Sequence, residues 1–386
     1  MAKTEPATTP ATEPEGQPVE APSVKTNAGA KPVIPLETRH VFLDTQVYRA
    51  IRHSPANPLM GLLLRQIEAH RIVLHTSDVT LLEVKRQVRE SMIAHTRELE
   101  KIEKDLGRWR LAARAHQPSA AIAFEIDALA AEIFGQFDTF IRRTCHANTH
   151  AALAIPAADV FENYFRRDPP FNKPDSKEFP DGFVFEALSR WCARENERLY
   201  VVTRDGAFLD AAEGHPSMLP MKDLHHILAR AAVDLDGNGD GEAIADVTLG
   251  GQDFDGSFEL AMIDQIKEVV FVYAGDLPEG EAYQGDLVEI EQIDGWSVVG
   301  LSAERITLIL NVVARVKVEV QYEDREDAFY DREDGRWFGA ESAATEVEEE
   351  VRLEVLVDVD RARGKVLEAK VLNSEVTIHG PSEHDY

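Results

Sequence analysis

Residues 40–50 read HVFLDTQVYRA, and this stretch decides the fold. The apolar run Val41-Phe42-Leu43 has the length of a buried strand. It ends on Asp44, and polar Thr45 and Gln46 then open what reads as a helix. In an open parallel α/β sheet, ligands gather at the carboxyl ends of the strands, so a carboxylate at that position marks a candidate site. The same figure recurs in "LYVVT" (199–203), which ends at Arg204-Asp205.

Working outward from Asp44, helices are expected over 46–53 and 58–70, and "RIVLHTSDV" supplies a second strand near 71–76. Thr76, Ser77 or Asp78 can cap the helix that follows. Val88, Met92, Leu99, Leu106 and Trp109 recur along that helix by threes, fours and sevens. After the break "HQPSA", Ile126, Leu129, Ile133, Phe137 and Phe140 do the same, so the two make a long helical hairpin. A polar loop leads into the helix "FVFEALSRWCAREN" and then into the third strand at 199–203. Strands alternating with helices argue for a parallel, helix-flanked sheet.

Further along, the period changes from 3.6 to 2. Ile306, Leu308, Leu310, Val312, Ala314, Val316, Val318, Val320 and Tyr322 alternate, with Arg315, Lys317, Glu319 and Gln321 on the other face of the second half. Val351, Leu353, Val355, Val357 and Val359 alternate with charged residues. One polar face and period two predict antiparallel strands. The expected organisation is a disordered Pro/Thr/Ala-rich tail at 1–38, an α/β domain at 39–232, an acidic Gly/Asp-rich linker at 233–261 and a mainly antiparallel β domain at 262–386. Two domains suit 386 residues, because single cores rarely grow beyond about 250–300.

The chain carries 41 Lys+Arg against 69 Asp+Glu, a formal net charge of −28. That balance counts against a broad nucleic-acid-binding surface and leaves room for a local basic patch. Cys145 and Cys192 belong to no CxxC or Cys/His cluster, which argues against a disulfide framework or a structural zinc and fits a reducing, cytoplasmic setting. No apolar run of membrane-spanning length and no secretory leader pattern are read in the sequence.

Four acids fall at one expected sheet edge. Asp44 and Asp205 follow strands, Glu83 lies on the first turns of the helix after the second strand, and Asp181 opens the helix before the third. Clustered carboxylates raise one another's pKa, and a divalent cation relieves this. Ligands that are all oxygen suit Mg²⁺ or Mn²⁺, and such an ion can activate a water and stabilise charge on a phosphate. Phosphodiester hydrolysis is the expected chemistry. For each acid the plain alternative is a turn, a cap or a first-turn carboxylate favoured by the helix dipole; Asp175 and Glu178 stand near Asp181 as substitutes.

Taken in order, "FLDTQVY" (42–48), "TSDVTLLEVKRQV" (76–88), "FPDGFVFEAL" (179–188) and "LYVVTRDGAF" (199–208) resemble the successive acidic motifs of PIN-domain nucleases. The resemblance covers roughly residues 39–230. It implies a metal-dependent endoribonuclease in which Asp44, Glu83, Asp181 and Asp205 are catalytic and hold one or two Mg²⁺ or Mn²⁺; single-stranded RNA is the expected partner, and a nuclease for DNA or for flap structures stays open. Cleavage would then be by a metal-bound hydroxide and would leave a 5′-phosphate. Thr203 matches the small hydroxyl residue two before the last acid and is expected at the substrate. The sequence departs from the family pattern at Gln46, where Asn or Ser is common. The long insertion between Glu83 and Asp181 is similar to the larger bacterial PIN-like group with a C-terminal region.

Lys85, Arg86 and Arg89, continuing through Arg97, Lys101, Lys104, Arg108 and Arg110, are candidate phosphate contacts, with Arg142, Arg143, Arg166 and Arg167 beyond. The alternative is a solvated helix face paired with Glu90, Glu98, Glu100 and Glu103. "DLDGNGDGEAIAD" (234–246) matches a calcium loop at its first positions but has Ala245 where a bidentate Glu is required. His225 and His226 are adjacent, so divergent side chains are expected. Asp334-Gly335 signals a hairpin turn, with Trp337 and Phe338 as packing residues beside it. The β domain is expected to bind a protein partner or to mediate self-association. A reading from another class stays open, in which the α/β domain is a catalytically silent scaffold and the β domain is the working surface.

Overall fold

The computed structural model describes residues 25–26, 35–113, 125–172, 178–233, 240–325, 328–331, 336–373 and 375–380. After a two-residue strand β1 (Lys25–Thr26), the first half runs β2 (His40–Leu43), α1 (Thr45–Ala50), α2 (Pro58–Glu68), β3 (Val73–Ser77), α3 (Asp78–Ala113), α4 (Ile126–Thr139), β4 (Asn148–His150), α5 (Ala157–Arg166), α6 (Phe179–Glu195), β5 (Leu199–Val202), α7 (Gly206–Glu213), β6 (Met218–Met221) and α8 (Leu224–Val233). The five strands of this half form a parallel sheet in the order β4-β3-β2-β5-β6. Central β2 is covered on both faces: Val41 and Leu43 join one core with Leu62, Val84 and Ile227, and Phe42 joins another with Leu188, Val201 and Phe208. Residues buried on both sides explain why the opening run is continuously apolar and does not alternate.

The two edge strands were not legible in the sequence. β4 is "NTH", with no apolar residue, and β6 is "MLPM". Each is held by one neighbour only, and an edge tolerates both polarity and a proline. The helical hairpin is present, with α3 packed on α4.

The second half comprises α9 (Asp240–Leu249), α10 (Gln252–Ile266), β7 (Phe271–Tyr273), β8 (Glu281–Leu301), β9 (Arg305–Asp324), β10 (Phe329–Asp331), β11 (Arg336–Phe338), β12 (Glu341–Asp360), β13 (Val366–Val371) and β14 (Val376–Ile378). β8, β9 and β12 are antiparallel strands of 21, 20 and 20 residues. The β9–β12 register runs unbroken from Arg305↔Asp360 to Asp324↔Glu341. β9 is buried continuously from Ile306 to Leu310 because its sheet is covered on both sides there. Ile309 and Val299 join the core of the first half beside α8, whereas Leu308 and Leu310 face Phe254, Phe258 and Met262 of α10. Beyond that contact the exposed face turns polar, which is the alternation seen at Arg315 to Gln321.

Two expectations about organisation need correction. The stretch 233–261 is not a linker beyond residue 239. Phe254, Phe258, Met262 and Ile266 recur every fourth residue and are fully buried against the second sheet, while Asp253, Asp255 and Glu259 face outward. Each such side chain contributes about 1.5–3 kcal/mol of burial, enough to order a segment whose bulk composition looks solvated. Ala245 is buried in the same core within α9, so the calcium-loop pattern stops at 239; residues 234–239 lie outside the described residues. Most of the expected tail lies there too. Its end is ordered, however: Glu37 pairs with Arg198, Thr38 donates to the Arg198 carbonyl at 2.9 Å, and β1 pairs in parallel with Gln292–Ile293 on the edge of β8. An open strand edge offers unpaired amides to any nearby extended chain. The turn at Asp334-Gly335 is also outside the described residues; its flanking strands β10 and β11 pair antiparallel, and Trp337 stacks on Tyr330 at 5.2 Å.

Across β2, β3 and β4 runs an unexpected row of histidines. His40 Nδ1 lies 2.9 Å from His75 Nε2, and His75 Nδ1 lies 2.8 Å from His150 Nε2, with the Trp191 ring edge-on at 4.4 Å from His75. A neutral imidazole carries one N–H and one lone pair, so each link takes one proton and an uncharged row is fully bonded. Burial, followed by the neighbouring rings, lowers His75 to about 3; burial and Arg194 lower His150 to about 4. A histidine whose folded pKa is depressed adds stability above its unfolded pKa of about 6.5 and loses it as pH falls below that value. We therefore expect the stability advantage of the wild type over His75→Phe to shrink by about 2 kcal/mol between pH 7.5 and pH 5.0. Denaturant melts at the two pH values test this, and an unchanged gap would contradict it.

Candidate active site

The register Leu43↔Val202 makes β2 and β5 neighbours of equal height, so Asp44 emerges beside Thr203. The Thr203 hydroxyl donates to Asp44 Oδ2 at 2.7 Å, and Thr203 Oγ1 in turn accepts from the Asp205 amide at 3.0 Å. The other Asp44 oxygen, Oδ1, accepts from the Thr45 amide at 2.6 Å and from its hydroxyl at 3.2 Å. Asp44 is 5% exposed. Burial raises its pKa, the Thr203 and Thr45 bonds lower it, and Asp205 raises it again. Gln46, the departure from the family pattern, is exposed and plays no part in this support; Thr45 and Thr203 provide it.

Asp205 caps α7, accepting from the Phe208 amide at 2.8 Å through Oδ1. The capping alternative and the rim position thus hold together for both strand-end acids, since Asp44 also caps α1. The β2–β3 register, Phe42↔His75, brings the start of α3 to the same edge. Ser77 caps α3, its Oγ accepting from the Thr80 amide at 2.9 Å. Glu83 is half-buried, and its pKa is raised by burial and then by Asp44, against a lowering by Arg86. Asp181 lies in the first turn of α6. Its pKa is pushed up to about 8 by burial and then by Asp44, Glu83, Asp205 and Glu178. Asp44, Glu83 and Asp181 are therefore raised with help from neighbouring carboxylates, Asp205 acts on Asp44 and Asp181, and Glu178 acts on Glu83 and Asp181. Asp175 lies outside the described residues.

No ion pair to Asp44, Glu83, Asp181 or Asp205 is formed by any lysine or arginine among the described residues. The oxygens are also not tightly clustered. Among the described residues, the one trio of acid or imidazole ligand atoms all within 4.8 Å of one another is Asp223, His225 and His226. This corrects the expectation that the two histidines diverge: their rings sit 4.1 Å apart at the start of α8, because the first helical turn lets neighbouring side chains fold over the same end. Arg204 binds Asp223 through Nε at 2.7 Å and through Nη2, and both residues act on Glu354 of β12. A crevice of about 580 Å³, lined by Arg204, Arg352 and Glu354 among others, separates this point from the second sheet.

The remaining predicted residues fall differently. Thr203, expected at the substrate, is fully buried and bonded to Asp44, so it positions an acid and cannot touch a ligand. Arg86 pairs with Glu90 at 3.3 Å along its own helix, and Arg89 pairs with Asp127 of α4 at 2.7 Å. Lys85 lies over the Phe134 ring at 5.9 Å. All three remain exposed, but their partners are those of a solvated helix face that braces the hairpin. The basic series therefore carries less than its count suggested.

The fit of a divalent cation can be judged from the acids themselves. Their donors are all oxygen, and burial with neighbouring carboxylates raises Asp44, Glu83 and Asp181, an arrangement that favours any added positive charge. Asp181→Asn removes the repelling charge that this carboxylate takes on as pH rises through about 8. We expect it to raise the melting temperature in chelator at about pH 9, by about 2–4 °C per kcal/mol recovered, and to reduce the stabilisation that Mg²⁺ or Mn²⁺ gives the wild type. A lowered melting temperature in chelator would show that the Asp181 charge is compensated by some other group.

The comparison with known families accords with this geometry. A family model described as PIN domain matches residues 41–208, a span that begins in β2 and ends in α7 and so contains all four acids. No curated protein and no solved structure matches the chain. The matched span holds four of the five strands of the parallel sheet and its flanking helices, and over residues 41–208 the chain is similar to the PIN-domain family.

Proposed function

We propose that the protein is a metal-dependent endoribonuclease that hydrolyses RNA phosphodiester bonds at the rim formed by Asp44, Glu83, Asp181 and Asp205. PIN domains have a nuclease-like fold, and the observation that supports the reading here is the crowding of acids at one rim: Asp44, Glu83 and Asp181 are raised by burial and by neighbouring carboxylates, Asp205 acts on two of them, and no lysine or arginine among the described residues forms an ion pair with any of the four. A structural role alone would favour neutralising at least one of them.

In this reading Asp44 and Asp205 hold Mg²⁺ or Mn²⁺ from the strand ends, and Glu83 and Asp181 hold it from the facing helices. A bound ion of this kind supplies a water of lowered pKa and positive charge opposite the phosphate. The chain's own contribution is orientation. Thr203 and Thr45 fix the Asp44 carboxylate through three hydrogen bonds, and the Asp205 cap fixes the second. The separation of the oxygens suits an ion that keeps part of its water shell. Asp181 gives up its proton to a cation most readily as pH approaches 8, so metal affinity rises with pH up to that value.

The separation of the oxygens also supports the second reading, a silent scaffold whose long β sheet is the working surface. Cleavage distinguishes the two. We expect the purified chain to cut single-stranded RNA in Mn²⁺ and to leave a 5′-phosphate. Asp44→Asn with Asp205→Asn should reduce the rate by about 10²–10⁴-fold, the several kcal/mol a metal site supplies. Equal cutting by the variant, or none by the wild type across Mg²⁺ and Mn²⁺, would favour the scaffold.

A further inference from the structure

Beside the acid rim lies a group of aromatic rings that the reaction above does not use. Phe161 and Phe165 stand four apart on α5, so they share a helix face, and that face is open: Phe161 is 43% and Phe165 77% exposed. Their centroids are 6.2 Å apart with planes inclined by 28°. Phe179, in the first turn of α6, lies 5.2 Å from Phe161, and Tyr164 lies 5.0 Å from Phe179. Buried Phe171 underlies both, 5.4 Å from Phe179 and 5.6 Å from Tyr164.

The group is fastened to the acids. Phe179 is two residues before Asp181 on the same helical turn. Next to Asp181 stands Gly182, where a Cβ would lie 2.4 Å from Phe171 Cζ and 3.1 Å from Val160 Cγ1. Only glycine lets α5 and the Phe171 ring lie this close to the turn that carries Asp181. The glycine of "FPDG" thus has a packing reason, and that packing sets where the open rings stand relative to the acids.

Single exposed apolar residues are ordinary; a contiguous aromatic patch marks a binding surface. Charge narrows the occupant. On a chain of net charge −28, where two of the arginines near this face are already bonded (Arg166 to Glu162 and Asp168, Arg190 to Asp159 and Glu186) and Arg167 at the end of α5 is exposed, phosphate attraction is weak. A nucleic acid would have to be held by its bases, and stacking on aromatic rings holds them without regard to sequence. A duplex keeps its base faces inside its own stack and cannot use such a surface.

We propose that Phe161 and Phe165, backed by Tyr164 and Phe179, form a stacking platform that seats unpaired nucleotides next to the acid rim, so that the substrate is a single-stranded nucleic acid. The inference rests on the nuclease reading for its place in a reaction, but it is tested by binding alone. In chelator, fluorescence anisotropy of the full chain with labelled ten-nucleotide oligouridylate, oligodeoxythymidylate and a ten-base-pair RNA duplex should show binding to the single strands and little to the duplex. Phe161→Ala and Phe165→Ala should each weaken single-strand binding about 10- to 100-fold, and Phe165→Trp should retain it. Both side chains are open, so circular dichroism and melting should be unchanged in the variants. Wild-type affinity in the double alanine variant, equal binding of duplex, or no binding of any oligonucleotide overturns the platform. A change confined to oligomeric state in the alanine variants also overturns it and makes the face a protein contact. Binding through the two rings without cleavage in Mn²⁺ would sink the nuclease reading and leave the platform standing; cleavage with KM unaffected by the ring substitutions would do the reverse.

Discussion

The hydrogen bond from the Thr203 hydroxyl to Asp44 joins the two central strands at the edge where the chemistry would occur. It exists because β2 and β5 are parallel neighbours in the register Leu43↔Val202, and a one-residue slip would turn Thr203 to the opposite face. Through that oxygen the Asp205 amide is held as well, so one buried hydroxyl orients both strand-end acids. A carboxylate buried beside like charges is destabilising unless its lone pairs are satisfied. The Thr45 and Thr203 bonds meet that need for Asp44, and the Phe208 amide meets part of it for Asp205. Asp181, with no hydrogen bond to its carboxylate among the described residues, answers the crowding by holding its proton, its pKa pushed up to about 8.

The second sheet is more than an appendage to this arrangement. Its long strands need cover on two faces, and they find it from different halves of the chain. α10 lies on one face, and α8, which follows the last strand of the parallel sheet, lies on the other. Val299 and Ile309 are therefore core residues of the first half, contributed by the second. The charged cluster of Arg204, Asp223, His226 and Glu354 spans the same boundary one residue from Asp205. Any movement of the long sheet against α8 would be felt at that arginine.

Residue functions that appeared to be alternatives turn out to coincide. Asp44 and Asp205 are helix caps and members of the acid group at once, since a strand that ends at a helix start places its cap on the sheet rim. Conversely, Arg86, Arg89 and Lys85 on α3, which counted as phosphate contacts, are engaged with Glu90, Asp127 and Phe134 respectively. On a helix, a charge every third or fourth residue is satisfied by its own neighbours, and count alone says little about what it does.

By itself, the sequence determined that a parallel, helix-flanked sheet forms around β2, β3 and β5, that a helical hairpin is inserted and that an antiparallel half follows, and it placed four acids at one expected edge. Each rests on local information: an apolar run of strand length, a period of 3.6 or 2, or an acid at a strand end. Tertiary structure decided what depends on partners distant in the chain. The edge strands "NTH" and "MLPM" are strands only because β3 and β5 offer open edges, and the acidic stretch 240–266 is helical only because its every-fourth apolar residues meet a sheet formed later. The histidine row needs three strands in register, and the aromatic platform needs Gly182 to bring α5 against α6. Local patterns set which elements form; which side chains meet is set by register and packing, and those exist only once the chain has folded.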